Sequence, residues 1–140
     1  MMAALAKFGW IIPIIVILAM LAYKVWTKKE LALTSKYQDI LSISGDLSLN
    51  LKIINEALQN ARFRKVMLDE FDHRFYAQTR YSMSSFSENI ELKYQQKGES
   101  TVISFKSICA LPTQVYDWGK NKRNFKRFNK ELERLMKKEN

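Results

Sequence analysis

The chain has 140 residues, with 23 Lys and Arg against 14 Asp and Glu for a formal net charge of +9, and it holds one histidine and one cysteine. That length supports one modest hydrophobic core and not two. A lone cysteine excludes an internal disulfide, and with a lone histidine a zinc site would lack its usual nitrogen and sulfur ligands. Without a Gly-rich phosphate loop, a nucleophile elbow or a His-Glu-x-x-His sequence, neither a metal nor a cofactor is expected, and a non-enzymatic role is favoured.

In chain order, residues 8–23 (FGWIIPIIVILAMLAY) form an uncharged apolar run between Lys7 and Lys24. As a helix this run measures about 24 Å, short of a hydrocarbon core of about 30 Å. Snorkelling of Lys7 and Lys24, with Trp10, Tyr23 and Trp26 at headgroup depth, closes the gap. Pro13 falls in the first turns, where lost backbone hydrogen bonds cost least. Tyr23, Lys24, Val25 and Trp26 follow the run where a cleaved leader needs small residues, so residues 1–26 are expected to be an uncleaved transmembrane anchor. Lys24, Lys28 and Lys29 after the span, against Lys7 before it, place the rest of the chain on the cytoplasmic side.

Residues 27–45 are expected to be a connector carrying a short helix. Asp46 is a natural N-cap for a helix over 47–60, where Leu47, Leu51, Ile54 and Leu58 share one stripe. The period then changes to two: Phe75, Ala77, Thr79 and Tyr81 alternate with polar neighbours, as do Ile90, Leu92 and Tyr94. Gln96-Lys97-Gly98-Glu99 joins 90–95 to 101–108 as a hairpin. With a strand near 65–71, the middle reads as a three- or four-stranded antiparallel meander with one apolar face. Pro112 stops the sheet, and Asn121 is expected to cap a last helix with Phe125, Phe128, Leu132, Leu135 and Met136 on its apolar stripe. The fold class is α+β, a transmembrane helix followed by a small antiparallel sheet flanked by helices, with residues 46–140 as the basic domain.

Candidate chemistry is sparse. Cys109 ends an apolar strand, where a buried thiol is the common outcome, and a pairing with His73 needs an orienting group as well. Asp69, Glu70 and Asp72 beside His73 read as a solvated turn before they read as an acid or base. The tail is cationic: residues 120–140 hold nine basic side chains against Glu131, Glu133 and Glu139. Such a helix either packs on the sheet with its charges solvated or lies on an anionic leaflet; nucleic acid is the weakest reading of the three. The residues expected at the membrane surface are Lys24, Lys28, Lys29, Lys126, Arg127 and Lys130. Tyr116, Asp117, Trp118, Gly119, Asn121 and Arg123 are the candidates for partner or ligand contact, although Asp, Gly and Asn there also satisfy the requirements of a turn.

The stretches RFYAQTRYSMSSFSENIELKYQQ and ISFKSICALPTQVYDWGKNKRNFKRF, within residues 74–135, resemble domain-of-unknown-function family 1499, small α+β domains of bacteria and plastids. That family closes on Asp-x-Gly-x-Asn-x-x-Arg, matched here by Asp117, Gly119 and Asn121 with Arg123 or Asn124 near the last position; its acidic positions correspond loosely to Ser87 and Glu88. Lys106-Ser107-Ile108-Cys109-Ala110 departs from the family's Arg-Ser-x-Ser-Arg by losing the second arginine. The resemblance implies the fold and says little about activity; the bacterial inner-membrane setting is expected from the apolar run and its flanking lysines.

Together these features lead to a single-span accessory or assembly component of a membrane protein complex, with another membrane protein and anionic lipid as partners. The alternative is a module for a lipid or small apolar ligand, lined by Phe75, Tyr81, Tyr94, Phe105 and Phe125. A hydrolase built on the 69–73 cluster is weaker.

Overall fold

A computed structural model describes residues 11–27, 34–81, 87–111, 114 and 116–139. Helix α1 (Ile11–Thr27) is followed by strand β1 (Lys36–Ser44), helix α2 (Leu47–Asn60), strands β2 (Arg64–Asp69), β3 (Arg74–Gln78), β4 (Glu88–Lys97) and β5 (Ser100–Cys109), and helix α3 (Lys120–Glu139). The five strands form one antiparallel sheet in the order β1-β5-β4-β3-β2. The fold is α+β, as expected, with one strand more than the meander read from the sequence.

The additional strand is β1, inside the stretch expected to be a connector with a short helix. It pairs with β5 along its whole length, from Lys36 opposite Ile108 to Ser44 opposite Ser100. Tyr37, Leu41 and Ile43 turn inward at period two, but Ile40 faces outward at 69% exposure. That one aliphatic residue on the wet face breaks the alternation and makes the segment look helical. The segment therefore belongs to the sheet.

Asp46 caps α2 as its position predicts: its carboxylate accepts from Ser48 N at 2.9 Å and Leu49 N at 3.3 Å. These bonds, with the Ser48 hydroxyl, hold its pKa below the ordinary aspartate value of 3.8. A depressed folded pKa contributes stability above the unfolded value and loses it as pH falls through the folded one. Thermal denaturation between pH 5 and pH 2 is accordingly expected to show an acid-side loss of stability that is smaller in Asp46→Asn, which keeps a cap and has no titration.

The core lies between the sheet and helices α2 and α3. Phe75, Ile90, Leu92, Ile103 and Phe105 of the sheet meet Ile54 and Leu58 of α2 and Phe128 and Leu132 of α3, all essentially inaccessible to solvent. The Phe105 ring lies 5.4 Å from both Phe125 and Phe128, and Phe125 also meets Tyr37 at 5.4 Å. The residues expected to line an apolar ligand pocket therefore fill the interior themselves. Tyr81, the fifth of them, is 80% exposed and stands outside it.

Helix α1 is different. Ile12, Ile14, Ile15, Val16, Ile17 and Leu18 are all exposed, so the chain covers no face of it there. It has 17 residues, and among the described residues no helix is long and apolar enough to cross a membrane. Lys28 and Lys29 lie outside the described residues, as does the side chain of Lys24.

Candidate anion-binding site

Sheet register gathers one pole of the domain. Lys36, Ile108, Asn89, Gln78 and Arg64 lie in a single row across the five strands. Helix α2 ends beside this row, in Ala61 and Arg62, and α3 starts there, at Lys120.

Under this pole lies a buried polar layer. Glu88 is 0% exposed. Its Oε2 accepts from Thr79 Oγ1 at 2.5 Å and Asn124 Nδ2 at 3.4 Å, and pairs with Lys120 Nζ at 3.1 Å. Asn124 Nδ2 also donates to Ser107 Oγ at 3.1 Å, and Ser107 Oγ donates to Asn121 Oδ1 at 2.6 Å. Asn121 Nδ2 reaches Ser35 O at 3.0 Å. A buried carboxylate persists only when paired and hydrogen-bonded, and this layer supplies both while riveting the start of α3 to strands β4 and β5.

Above the layer opens a cavity of about 570 Å³ whose walls carry Arg62, Arg64, Thr79, Arg80, Lys120 and Arg127. Phe63 and Tyr81 complete the lining. The Arg127 guanidinium stacks 5.3 Å over the Phe63 ring and donates to Asn124 Oδ1 at 3.0 Å. Partial burial lowers its pKa; Arg62 and Arg123 act in the same direction, while Glu88 opposes them. Five cations thus share one cavity with the single carboxylate beneath it, and among the described residues Arg62, Arg64 and Arg80 make no ion pair.

Arg62 stands at φ +61°, in the left-handed region that favours glycine after a helix. Holding a non-glycine residue there costs about 1–2 kcal/mol, and such strain gathers at ligand sites. Arg62→Gly removes the strain and pays back part of it in unfolded-chain entropy, so it is expected to stabilise the domain by about 0.5–1 kcal/mol in chemical denaturation.

The structure separates the candidate residues of the loop into two groups. Asp117 and Asn121 are structural. Asp117 accepts from Gly119 N at 3.0 Å and Asn121 N at 2.7 Å, so Asp117 caps α3, and Asn121, expected as the cap, sits in the first turn with its amide in the polar layer. Gly119 adopts φ +71°, and Arg123 donates to Trp118 O at 2.6 Å, closing the turn. Tyr116 and Trp118 instead face solvent at 64% and 66% exposure, ring against ring at 4.9 Å, with Trp118 at φ +52°. Lys126 and Lys130 are exposed one turn apart on α3, whereas Arg127 belongs to the cavity wall.

His73 and Cys109 do not meet. His73 meets Tyr94 edge to face at 5.5 Å, while Cys109 lies opposite Glu88 in the sheet, about 20 Å away along β4. Burial pushes the Cys109 thiol upward in pKa, against nucleophilic use. Asp69 accepts from Asp72 N at 3.1 Å and Asp72 pairs with Arg74 at 2.6 Å, which is turn chemistry. No group of metal-ligating side chains occurs among the described residues.

Thr79, Arg62, Arg64 and Arg80 were not legible as a site, because they come from separate segments and share no motif. Glu88, Ser107 and Asn124 fell within the stretches of the family resemblance, which gave them no place in a cavity, and the other signal was the positive balance of 120–140.

The fold and this pole define an α+β domain with a cationic cavity over a buried carboxylate. No protein-family model matches the chain, and no curated protein matches it either.

Proposed function

We propose that the chain is a membrane-tethered, non-enzymatic module that presents its basic pole to the cytoplasmic face of a bacterial inner membrane, as an accessory or assembly component of a membrane protein complex. The observation that carries this reading is α1, which is apolar on every side and covered on none at residues 12–18. A helix of that kind in water is an unsatisfied surface, and lipid or another membrane helix satisfies it. In the sequence the apolar run begins before this helix, at Phe8, and a lysine flanks it at each end, Lys7 and Lys24. From Thr27 the chain enters the sheet at Lys36, so the tether holds Lys36 within about 30 Å of the point where α1 ends, and the cationic cavity lies about 20 Å further along the same row, at the other edge of the sheet. Tyr116 and Trp118, both exposed in the loop before α3, suit the headgroup region.

The experiment is extraction of native membranes with alkaline carbonate, combined with protease protection of inside-out vesicles. Retention in the pellet with a cleavable carboxy-terminal domain is expected. Release of the full-length chain into the supernatant overturns the tether.

A further inference from the structure

We propose that the cavity between α2, β2, β3 and α3 is a binding site for a phosphate monoester. It is carried by the folded domain alone and stands whether or not α1 enters a bilayer.

Three observations point to a ligand of this charge and size. Arg62, Arg64, Arg80, Lys120 and Arg127 converge on one cavity, and of these five it is Lys120 that ion-pairs with the buried Glu88, at 3.1 Å. That leaves an excess of four positive charges in one hollow, a repulsive arrangement that a dianion relieves and a single carboxylate relieves only in part. Guanidinium forks match phosphate oxygens in pairs, which makes arginine the residue of choice for this recognition. The cavity, at about 570 Å³, exceeds one phosphate group and accommodates a small organic moiety with it, for which Phe63 and Tyr81 supply apolar and aromatic wall.

The anchoring is preformed. Arg127 is fixed by Phe63 and Asn124, and Lys120 by Glu88, so two of the five cations are positioned before any ligand arrives. Arg62 is held in a backbone conformation that arginine disfavours, on the rim of the same cavity. Concave convergence also separates this site from a nucleic-acid track, which needs cations spaced along a surface.

The shared chemistry is the phosphate monoester, and the source is either soluble or the headgroup of a lipid. The full chain in neutral maltoside micelles is titrated with glycerol 3-phosphate, with potassium chloride at matched ionic strength as control, and separately with micelles doped with phosphatidic acid or phosphatidylcholine. Thermal shift and amide chemical shifts are followed. Saturable binding of glycerol 3-phosphate or of phosphatidic acid, absent with chloride and phosphatidylcholine, is expected, and the arm that binds more tightly identifies the source.

Arg64→Gln with Arg80→Gln, on exposed side chains outside the polar layer, is expected to weaken binding at least tenfold. Arg62→Gly is expected to weaken it while raising the melting temperature, a combination that misfolding cannot produce. Absence of saturable binding by both phosphate probes overturns the site. So does equal binding by the wild type and the Arg64, Arg80 variant, or tighter binding of a twelve-nucleotide single strand than of either monoester.

Discussion

Glu88→Ala is expected to destabilise the domain by about 3 kcal/mol, measured by urea denaturation of the full chain in neutral detergent. The residue is wholly buried, and removing it strips Lys120 of its paired carboxylate and leaves Thr79 Oγ1 and Asn124 Nδ2 short of an acceptor. Breaking a buried ion pair by deleting one partner costs about 3–5 kcal/mol, because the remaining charge is left in a poor solvent. Here the lower end applies. The Lys120 side chain is 15% exposed at the cavity wall, and water reaching it limits the penalty. Glu88→Gln keeps an acceptor for Thr79 and is expected to cost about 1–2 kcal/mol. In a double-mutant cycle with Thr79→Val the two changes should fall short of additivity, since they share the 2.5 Å bond. If Glu88→Ala unfolds within about 1 kcal/mol of the wild type, the polar layer is not what holds α3 to the sheet.

Phe105→Ala is expected to cost about 4 kcal/mol, in the upper range for emptying an aromatic position in a closed core. Phe105 is 0% exposed on the interior strand β5, between β1 and β4, and its ring touches Phe125 and Phe128, which come from α3. The neighbours cannot collapse into the space. Phe128 is fixed on the helix, and Leu92 and Ile103 are held on adjacent positions of the sheet. Phe105→Leu restores most of the volume and is expected to lose less than half as much. A ratio near one would mean that the ring contacts, and not the volume, are the source of the stability. Neither substitution touches the cationic cavity, so any fraction of Phe105→Leu that folds should still respond to phosphate probes as the wild type does.

The two effects are similar in size and different in kind. Phe105 stabilises through area and close packing, which are indifferent to direction, and any large apolar residue of fitting shape recovers part of the loss. Glu88 acts through directed bonds to three side chains, two on α3 and one on the residue that follows β3, so its replacement has no apolar shortcut unless Lys120 and Asn124 change with it.

Much of the scaffold was legible because it is written locally. The stripe of Leu47, Leu51, Ile54 and Leu58 with Asp46 ahead of it is α2 and its cap, and both stand as read. The alternation around Ile90, Leu92 and Tyr94 and the Gly98 connection are the hairpin of β4 and β5. Phe128, Leu132 and Leu135 turn inward on α3 as their spacing requires. The misreadings have local causes as well. Ile40 on the open face disguised β1, and Asn121 carries a residue type that caps helices while Asp117, four residues earlier, does the capping.

The residues themselves determined an α+β domain, its apolar faces, its positive charge and the apolar run before it, because period, turn chemistry and composition act within a few neighbours along the chain. Tertiary structure alone decided that β1 closes the sheet beside β5, that Glu88 is buried under Lys120, and that Arg62, Arg64, Arg80 and Arg127 share one cavity. Those placements follow from strand register and helix docking between segments tens of residues apart, and a one-residue slip in any strand would scatter them without altering a single local pattern.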